Sequence, residues 1–193
     1  MARAGDVIEH PVTGEQILFR KTAQDTGGTE LEMEFRVRPG GFVAGAHVHP
    51  EQAEHFEILE GTVRFHIAGR EMDVDAGQSV GVPAGTPHVW WNPSAVSARL
   101  VVRFRPALRT GAFFEAFFGL AQDGKTNPRT GEGGLLQMAV VIREFRREIR
   151  PASPPLPVQR VLVPVLAAVG RLLGYRANYP YPYDRQTELA RAA

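Results

Sequence analysis

Two stretches of strict alternation constrain this chain more than any other feature. In Glu30–Arg38 the apolar residues Leu31, Met33, Phe35 and Val37 alternate with charged ones. In Val96–Arg105, Ala98, Leu100, Val102 and Phe104 stand opposite Ser97, Arg99, Arg103 and Arg105. Successive side chains of a strand point to opposite faces, so each stretch predicts a strand with one buried face and one polar face. Shorter runs surround them. Glu15–Arg20 predicts a first strand, and Glu71–Val74 and His88–Trp91 two more. His55–Leu59 and Thr62–Ala68 are expected to pair antiparallel about Glu60-Gly61, with Val63, Phe65 and Ile67 on one face. Turn-rich segments punctuate the series: Gln24–Thr29, Pro39-Gly40-Gly41, Gly69-Arg70, Asp75-Ala76-Gly77 and Pro83-Ala84-Gly85. Short strands at regular spacing, broken by glycine turns, make a mainly β sandwich or small barrel.

After Pro106 the period changes. Gly111–Gln122 has helical spacing, with Phe113, Phe114, Phe117, Phe118 and Leu120 forming an apolar stripe. Asp123–Gly134 reads as a loop, Leu135–Ile149 as a second helix, and Pro151–Pro157 as an extended proline linker. Val158–Leu173 predicts a third, very apolar helix, started or kinked by Pro164, and the end, NYPYPYD, an extended aromatic arm. The expected division is a barrel over residues 1–108 and a helical extension over 109–193.

Charge is unevenly shared between these parts. Residues 143–193 hold nine Arg against four acids, a balance of +5, whereas residues 1–142 hold 13 Lys and Arg against 17 acids, a balance of −4. A basic tail on a mildly acidic body implies docking between the two, or an anionic partner. The net charge of +1 gives no general argument for nucleic acid. Without cysteine there is no disulfide framework or thiolate chemistry. The N-terminal residues lack an apolar signal-peptide core, and the run Val161–Gly170 is far short of the roughly 20 residues of a spanning helix. The expectation is a soluble, cytoplasmic protein without a membrane span.

The chemistry is concentrated around His47-Val48-His49. Two histidines one residue apart on an extended backbone share a face. Glu54 lies five positions beyond His49, an odd spacing that would reverse its face on a straight strand, so Pro50–Ala53 must turn to bring it back. His88 then enters from another strand, after the Pro83–Gly85 turn. Three imidazoles and a carboxylate suit a divalent first-row metal: Fe, Mn, Ni, Co or Zn. On a metal that prefers six ligands they leave about two positions open, a catalytic rather than structural arrangement. His55, Glu57 and His66 fall on the opposite phase, Glu51 lies in the turn, and His10 carries no signal; none is read as a ligand.

Written as spacings, Gly41 is followed by His47, His49, Glu54 and Gly61, and Gly77 by Pro83, Gly85, His88 and Asn92. Fifteen residues separate Gly61 from Gly77. This pattern resembles the two motifs of the cupin superfamily, and the short link is like that of compact bacterial members. The resemblance covers roughly residues 15–106. It implies a double-stranded β-helix, or jelly-roll barrel, holding one metal ion through His47, His49, Glu54 and His88. The helical tail also looks like that of a group of bacterial single-domain cupins, with no chemistry to carry over.

Phe56 is in phase with Glu54 and Trp90 with His88, so with Phe35 and Phe65 they are candidates for a substrate pocket as well as for core. An aromatic lining suits a flat or apolar molecule better than a free sugar. Three functions follow. The first is a metal-dependent oxidoreductase of dioxygenase type, acting on a small apolar or aromatic molecule, with Glu54 doubling as ligand and proton acceptor. The second is a redox-neutral isomerase, epimerase or lyase; the third is a non-catalytic small-molecule-binding module. The tail admits packing on the barrel or on a second subunit of a homodimer, a lid over the barrel mouth, or contact with a membrane surface through Arg150, Arg160, Arg171 and Arg176. Asn92 is expected to shape a turn.

Overall fold

In the computed structural model, which describes residues 1–41 and 45–183, two antiparallel sheets face each other, and three helices follow the tenth strand, with one short strand between the second and third. One sheet is assembled from β1 (Val7–Glu9), β2 (Gln16–Lys21), β3 (Leu31–Val37), β10 (Ala98–Arg105), β5 (Ala53–Glu60) and β8 (Ser79–Val82), in that spatial order. The other runs β11 (Arg150–Pro151), β4 (His47–Val48), β9 (His88–Trp91), β6 (Thr62–Ile67) and β7 (Arg70–Asp75). The helices are α1 (Thr110–Gln122), α2 (Leu135–Glu144) and α3 (Leu156–Leu172).

The two alternating stretches are neighbours. Along β3 and β10 the register sets Leu100 opposite Phe35 and Val102 opposite Met33, and all four are buried between the sheets. The outward residues form a charged ladder: Arg103 bonds Glu32 at 2.6 Å and Glu57 at 2.9 Å, and Arg99 bonds Glu34 at 2.9 Å. Such cross-strand pairs favour this register over a one-residue slip, which would bury the charges.

The expected hairpin about Glu60-Gly61 does not form. β5 pairs with β10 and β8, whereas β6 pairs with β7 and β9 in the other sheet. Gly61 is instead a corner between layers, with φ +79°, and a β-carbon there would stand 3.2 Å from the Ala98 Cα. Burial explains the crossing: Phe56 and Ile58 on β5 and Val63 and Phe65 on β6 all point into the space between the sheets. Alternation tells which face is buried but not which strand is the neighbour.

Other boundaries also move. β1 precedes the expected first strand. α2 ends at Glu144, with Phe145–Glu148 in turns, and α3 starts at Leu156, inside the expected proline linker, with Pro157 in its first turn. Proline fits that first turn because the missing N–H would have had no helical partner. Arg150-Pro151 adds to the sheet beside β4. Phe113, Phe114, Phe118 and Phe145 join the barrel's own buried cluster, so one apolar core runs from the strands into the helices.

The tyrosine arm crosses α1. Tyr179 donates to Gln137 Oε1 at 2.9 Å and Tyr183 to Glu115 Oε1 at 3.0 Å, while Tyr181 Oη accepts the Glu9 N–H at 3.0 Å. Close passage requires Gly119, where a β-carbon would come within 2.2 Å of the Tyr179 carbonyl oxygen. Asp184, the last residue of the expected arm, lies outside the described residues.

Candidate metal centre

His47 on β4 and His88 on β9 face each other as a cross-strand pair in one sheet. Glu54 belongs to β5 in the other sheet, opposite Phe104 and Val82. Between them the chain crosses from sheet to sheet over His49–Gln52, the turn that the odd His49–Glu54 spacing demands. Two contacts pin the crossing. The His49 carbonyl accepts the Gly85 N–H at 2.8 Å, and the fully buried Gln52 amide donates to Pro106 O at 2.8 Å, besides pairing with the Thr110 hydroxyl. Asn92 shapes its turn as expected, donating to Val37 O, Arg38 O and Val96 O.

The four side chains are all buried and converge, with one candidate donor atom from each lying within 4.8 Å of all the others. His47 Nε2 is 3.1 Å from His49 Nε2, His49 Nε2 is 3.4 Å from Glu54 Oε2, and His88 Nε2 is 2.8 Å from Glu54 Oε2. Metal bonds of about 2.1 Å at ordinary coordination angles put adjacent ligand atoms about 3.0–3.4 Å apart, so these spacings fit an ion. Moreover, Glu54 Oε2 and His88 Nε2 are buried without a well-aligned hydrogen-bond partner, even though they are close to each other. Atoms that approach without pointing at one another are what a shared central ion would organise.

Each imidazole is fixed from behind. His47 Nδ1 meets Gly45 O at 2.8 Å, His88 Nδ1 meets Thr86 O at 3.0 Å, and His49 Nδ1 meets Glu148 O at 2.6 Å. A carbonyl can only accept, so the proton sits on Nδ1 and the Nε2 lone pair is directed at the centre, the outer-shell pattern of metal-binding histidines. The electrostatics agree at His47 and His49. Burial, then the neighbouring His49 and His88, holds the His47 imidazole down at about 3, and burial also pushes His49 down. Burial opposes the Glu54 carboxylate, but His49, His88 and His47 outweigh it and leave its pKa below the ordinary value. Burial likewise opposes charge on His88, where the Glu54 carboxylate prevails and raises the pKa.

His47, His49 and Glu54 open onto a cavity of about 280 Å³. Its walls include Phe35, Trp90 and Phe104 from the barrel, and Phe113, Phe114, Phe117 and Phe118 from α1. Phe56 and Phe65 stand behind Trp90 instead, with ring centroids 5.7 Å and 6.5 Å from it, and do not line the cavity. The phenylalanines of α1, expected either to pack on the barrel or to cover its mouth, line this cavity. His10, which carried no signal, lines the cavity with Thr13 and Glu15, and its ring packs edge-on against Phe118 at 5.3 Å. No pattern in the N-terminal residues marks it, because its role depends on α1 arriving from 100 residues later in the chain. His55 and His66 are exposed, and Glu51 pairs with Arg147 at 2.7 Å, so none of them joins the cluster.

A protein of Hypocrea virens described as a "probable oxidoreductase" is 27% identical over 150 residues, covering 71% of this chain and 66% of that protein, just under two thirds of its length. Among solved structures, a Thermotoga maritima protein described as a "predicted oxalate decarboxylase" superposes with a TM-score of 0.48 at 18% identity, over 55% of this chain and 98% of that one. A sugar phosphate isomerase from Silicibacter pomeroyi gives a TM-score of 0.43 at 23% identity, over 49% of this chain and 60% of that one. Residues 33–104, the stretch from β3 to β10 that contains all four converging side chains, match the family model for the cupin domain. Residues 33–104 of this chain carry a cupin domain.

Proposed function

We propose that this protein is a metal-dependent oxidoreductase of dioxygenase type, acting on a small, largely apolar or aromatic molecule. One observation carries the reading: the buried His47, His49, Glu54 and His88 cluster opens onto an aromatic-walled cavity. A divalent ion held by these four residues would supply Lewis acidity and open coordination positions for a substrate and oxygen. The oxidoreductase description of the Hypocrea virens relative supports the same reaction class.

The chain's own residues do the rest. The three carbonyl contacts hold the imidazoles in one tautomer, so the site is organised before any ligand arrives. Phe35, Trp90, Phe104 and Phe114 exclude water and hold a flat ring by edge and face contacts. With one oxygen of the Glu54 carboxylate on the ion, the other would be available to take a proton from a substrate hydroxyl. At about 280 Å³ the cavity is at the small end for ligand sites, which favours a molecule of one or two rings.

The test is oxygen uptake by protein loaded anaerobically with Fe(II), offered flavonols, β-diketones and catechols. Substrate-dependent uptake supports the proposal. Turnover with Zn(II) or Mn(II) in the absence of oxygen would replace it with redox-neutral chemistry at the same centre.

A further inference from the structure

Helix α3 is packed inside out. It docks on α2 through small residues: Ala167 is buried against Ala139 and Val140, and a β-carbon on Gly170 would come within 2.8 Å of Val140 and 2.9 Å of the Leu136 carbonyl oxygen. Apart from Leu166, which packs on the same cluster, and Val163 in the groove between the helices, its large apolar residues point the other way. Val161 is 69% exposed, Val165 55% and Leu172 88%, and Val158, Leu162 and Val169 share that outer face. Nine of the fourteen exposed large hydrophobic side chains among the described residues lie between Leu156 and Tyr175. Isolated exposed apolar residues are ordinary; a contiguous face this rich in them marks a binding surface.

A cationic groove adjoins that face. Between α2 and α3 lies a depression of about 360 Å³ walled by Arg143, Arg146, Arg147, Arg150 and Arg160. Its one acid, Glu51, is engaged by Arg147. Arg143, Arg146, Arg150 and Arg160 form no ion pair among the described residues. Arg160 and Arg171, three turns apart, run along one edge of the apolar face, with Arg171 reaching Glu144 of α2 at 3.6 Å. From Leu156 to Tyr183 there is no Asp or Glu.

Charge decides between the occupants. A second copy pairing α3 with α3 would bring arginines to arginines, with no carboxylate on either helix to meet them. A surface that is apolar within and anionic at its edge matches both features at once. We propose that α3 and the arginine groove form a docking face for an anionic lipid bilayer: Val158, Val161, Leu162, Val165 and Val169 enter the interface and the groove takes lipid phosphates. The helix lies on the membrane and does not span it. Ile142 and Arg150 line both the groove and the metal cavity, so the lipid contact abuts the wall of the site. The inference stands apart from the reaction proposed above.

Co-sedimentation of the full chain with vesicles tests it. Binding is expected to phosphatidylcholine vesicles containing phosphatidylglycerol, weakening as salt is raised, and not to phosphatidylcholine alone. The exposed pair Val161→Glu/Val165→Glu should abolish binding, and Arg146→Glu/Arg160→Glu should weaken it at least about tenfold, both with unchanged circular dichroism. Absence of vesicle binding by the wild type overturns the proposal, as does equal binding to both vesicle types. So does a solution dimer that Val165→Glu converts to monomer in a protein indifferent to vesicles. Inorganic phosphate, titrated alone by calorimetry, should show no saturable binding; saturable phosphate binding without vesicle binding also counts against a bilayer.

Discussion

His49 Nδ1 lies 2.6 Å from the backbone carbonyl of Glu148, 99 residues further along the chain. A ligand candidate of the barrel is thus oriented by the turn that follows α2, and the helical extension becomes part of the centre. The Glu148 side chain secures that turn: it is buried, and its Oε1 accepts the Arg109 N–H at 3.2 Å.

Replacing Glu148 with Ala should therefore lower metal affinity by about ten- to a hundredfold, the usual cost of losing an outer-shell partner, whereas Gln, which can still accept the Arg109 N–H, should lose far less. Competition with a chromophoric chelator measures both variants. Equal affinity for wild type and Glu148→Ala would show that the Glu148 side chain does not hold the turn against His49.

Removal of a ligand should cost more than removal of its support. His49→Ala and His88→Ala are each expected to purify without stoichiometric metal, by elemental analysis, while keeping the β-sheet circular dichroism of the wild type. His55→Ala, altering an exposed residue one position from Glu54, should retain full metal. Full occupancy in His88→Ala would remove that residue from the ligand set.

Gly119→Ala should destabilise the protein by about 1–3 kcal/mol and lower the melting temperature by several degrees, because the new methyl group meets the Tyr179 carbonyl and either α1 or the arm must shift. Differential scanning calorimetry reads the change. Gly124→Ala is the contrast: no atom lies within 4 Å of a β-carbon there, and its cost comes from a positive φ alone.

A pH dependence follows from Glu15. Burial raises its pKa above the ordinary 4.5, outweighing the Thr13 hydroxyl and Arg38. A group whose native pKa is raised favours the fold in its protonated form. Its contribution is complete below 4.5 and is lost as pH rises through the native value. Glu15→Gln, uncharged at every pH, should therefore match the wild type near pH 4 and exceed it in melting temperature near pH 7. A difference between the two proteins that does not change with pH would contradict this.

Much of the barrel could be read directly from residues. β3 and β10 are strict alternations, and period two needs no tertiary information to identify a buried face. The His47–Glu54 turn was legible for a related reason, since an odd spacing between residues that must share a face requires a change of direction. What escaped depended on partners. Phe56 and Phe65 are inward-facing as expected, yet their distance from the cavity is set by Trp90 standing in front of them. The stripe on α1 marks one side of a helix as apolar without saying whether strands or an open cavity lie opposite. The contact from Glu148 to His49 uses a backbone oxygen, which every residue has, and so leaves no signature in the side chains.

His47 and His88 belong to one sheet and Glu54 to the other, so the cage straddles the gap between layers. Its width is then governed by whatever spaces the sheets, including the Phe56–Phe65 contact at 4.9 Å between ring centroids. An ion held by these four residues would therefore sense hydrophobic packing at a distance: a thinner aromatic layer would favour smaller ions and a thicker one larger ions, with no ligand altered.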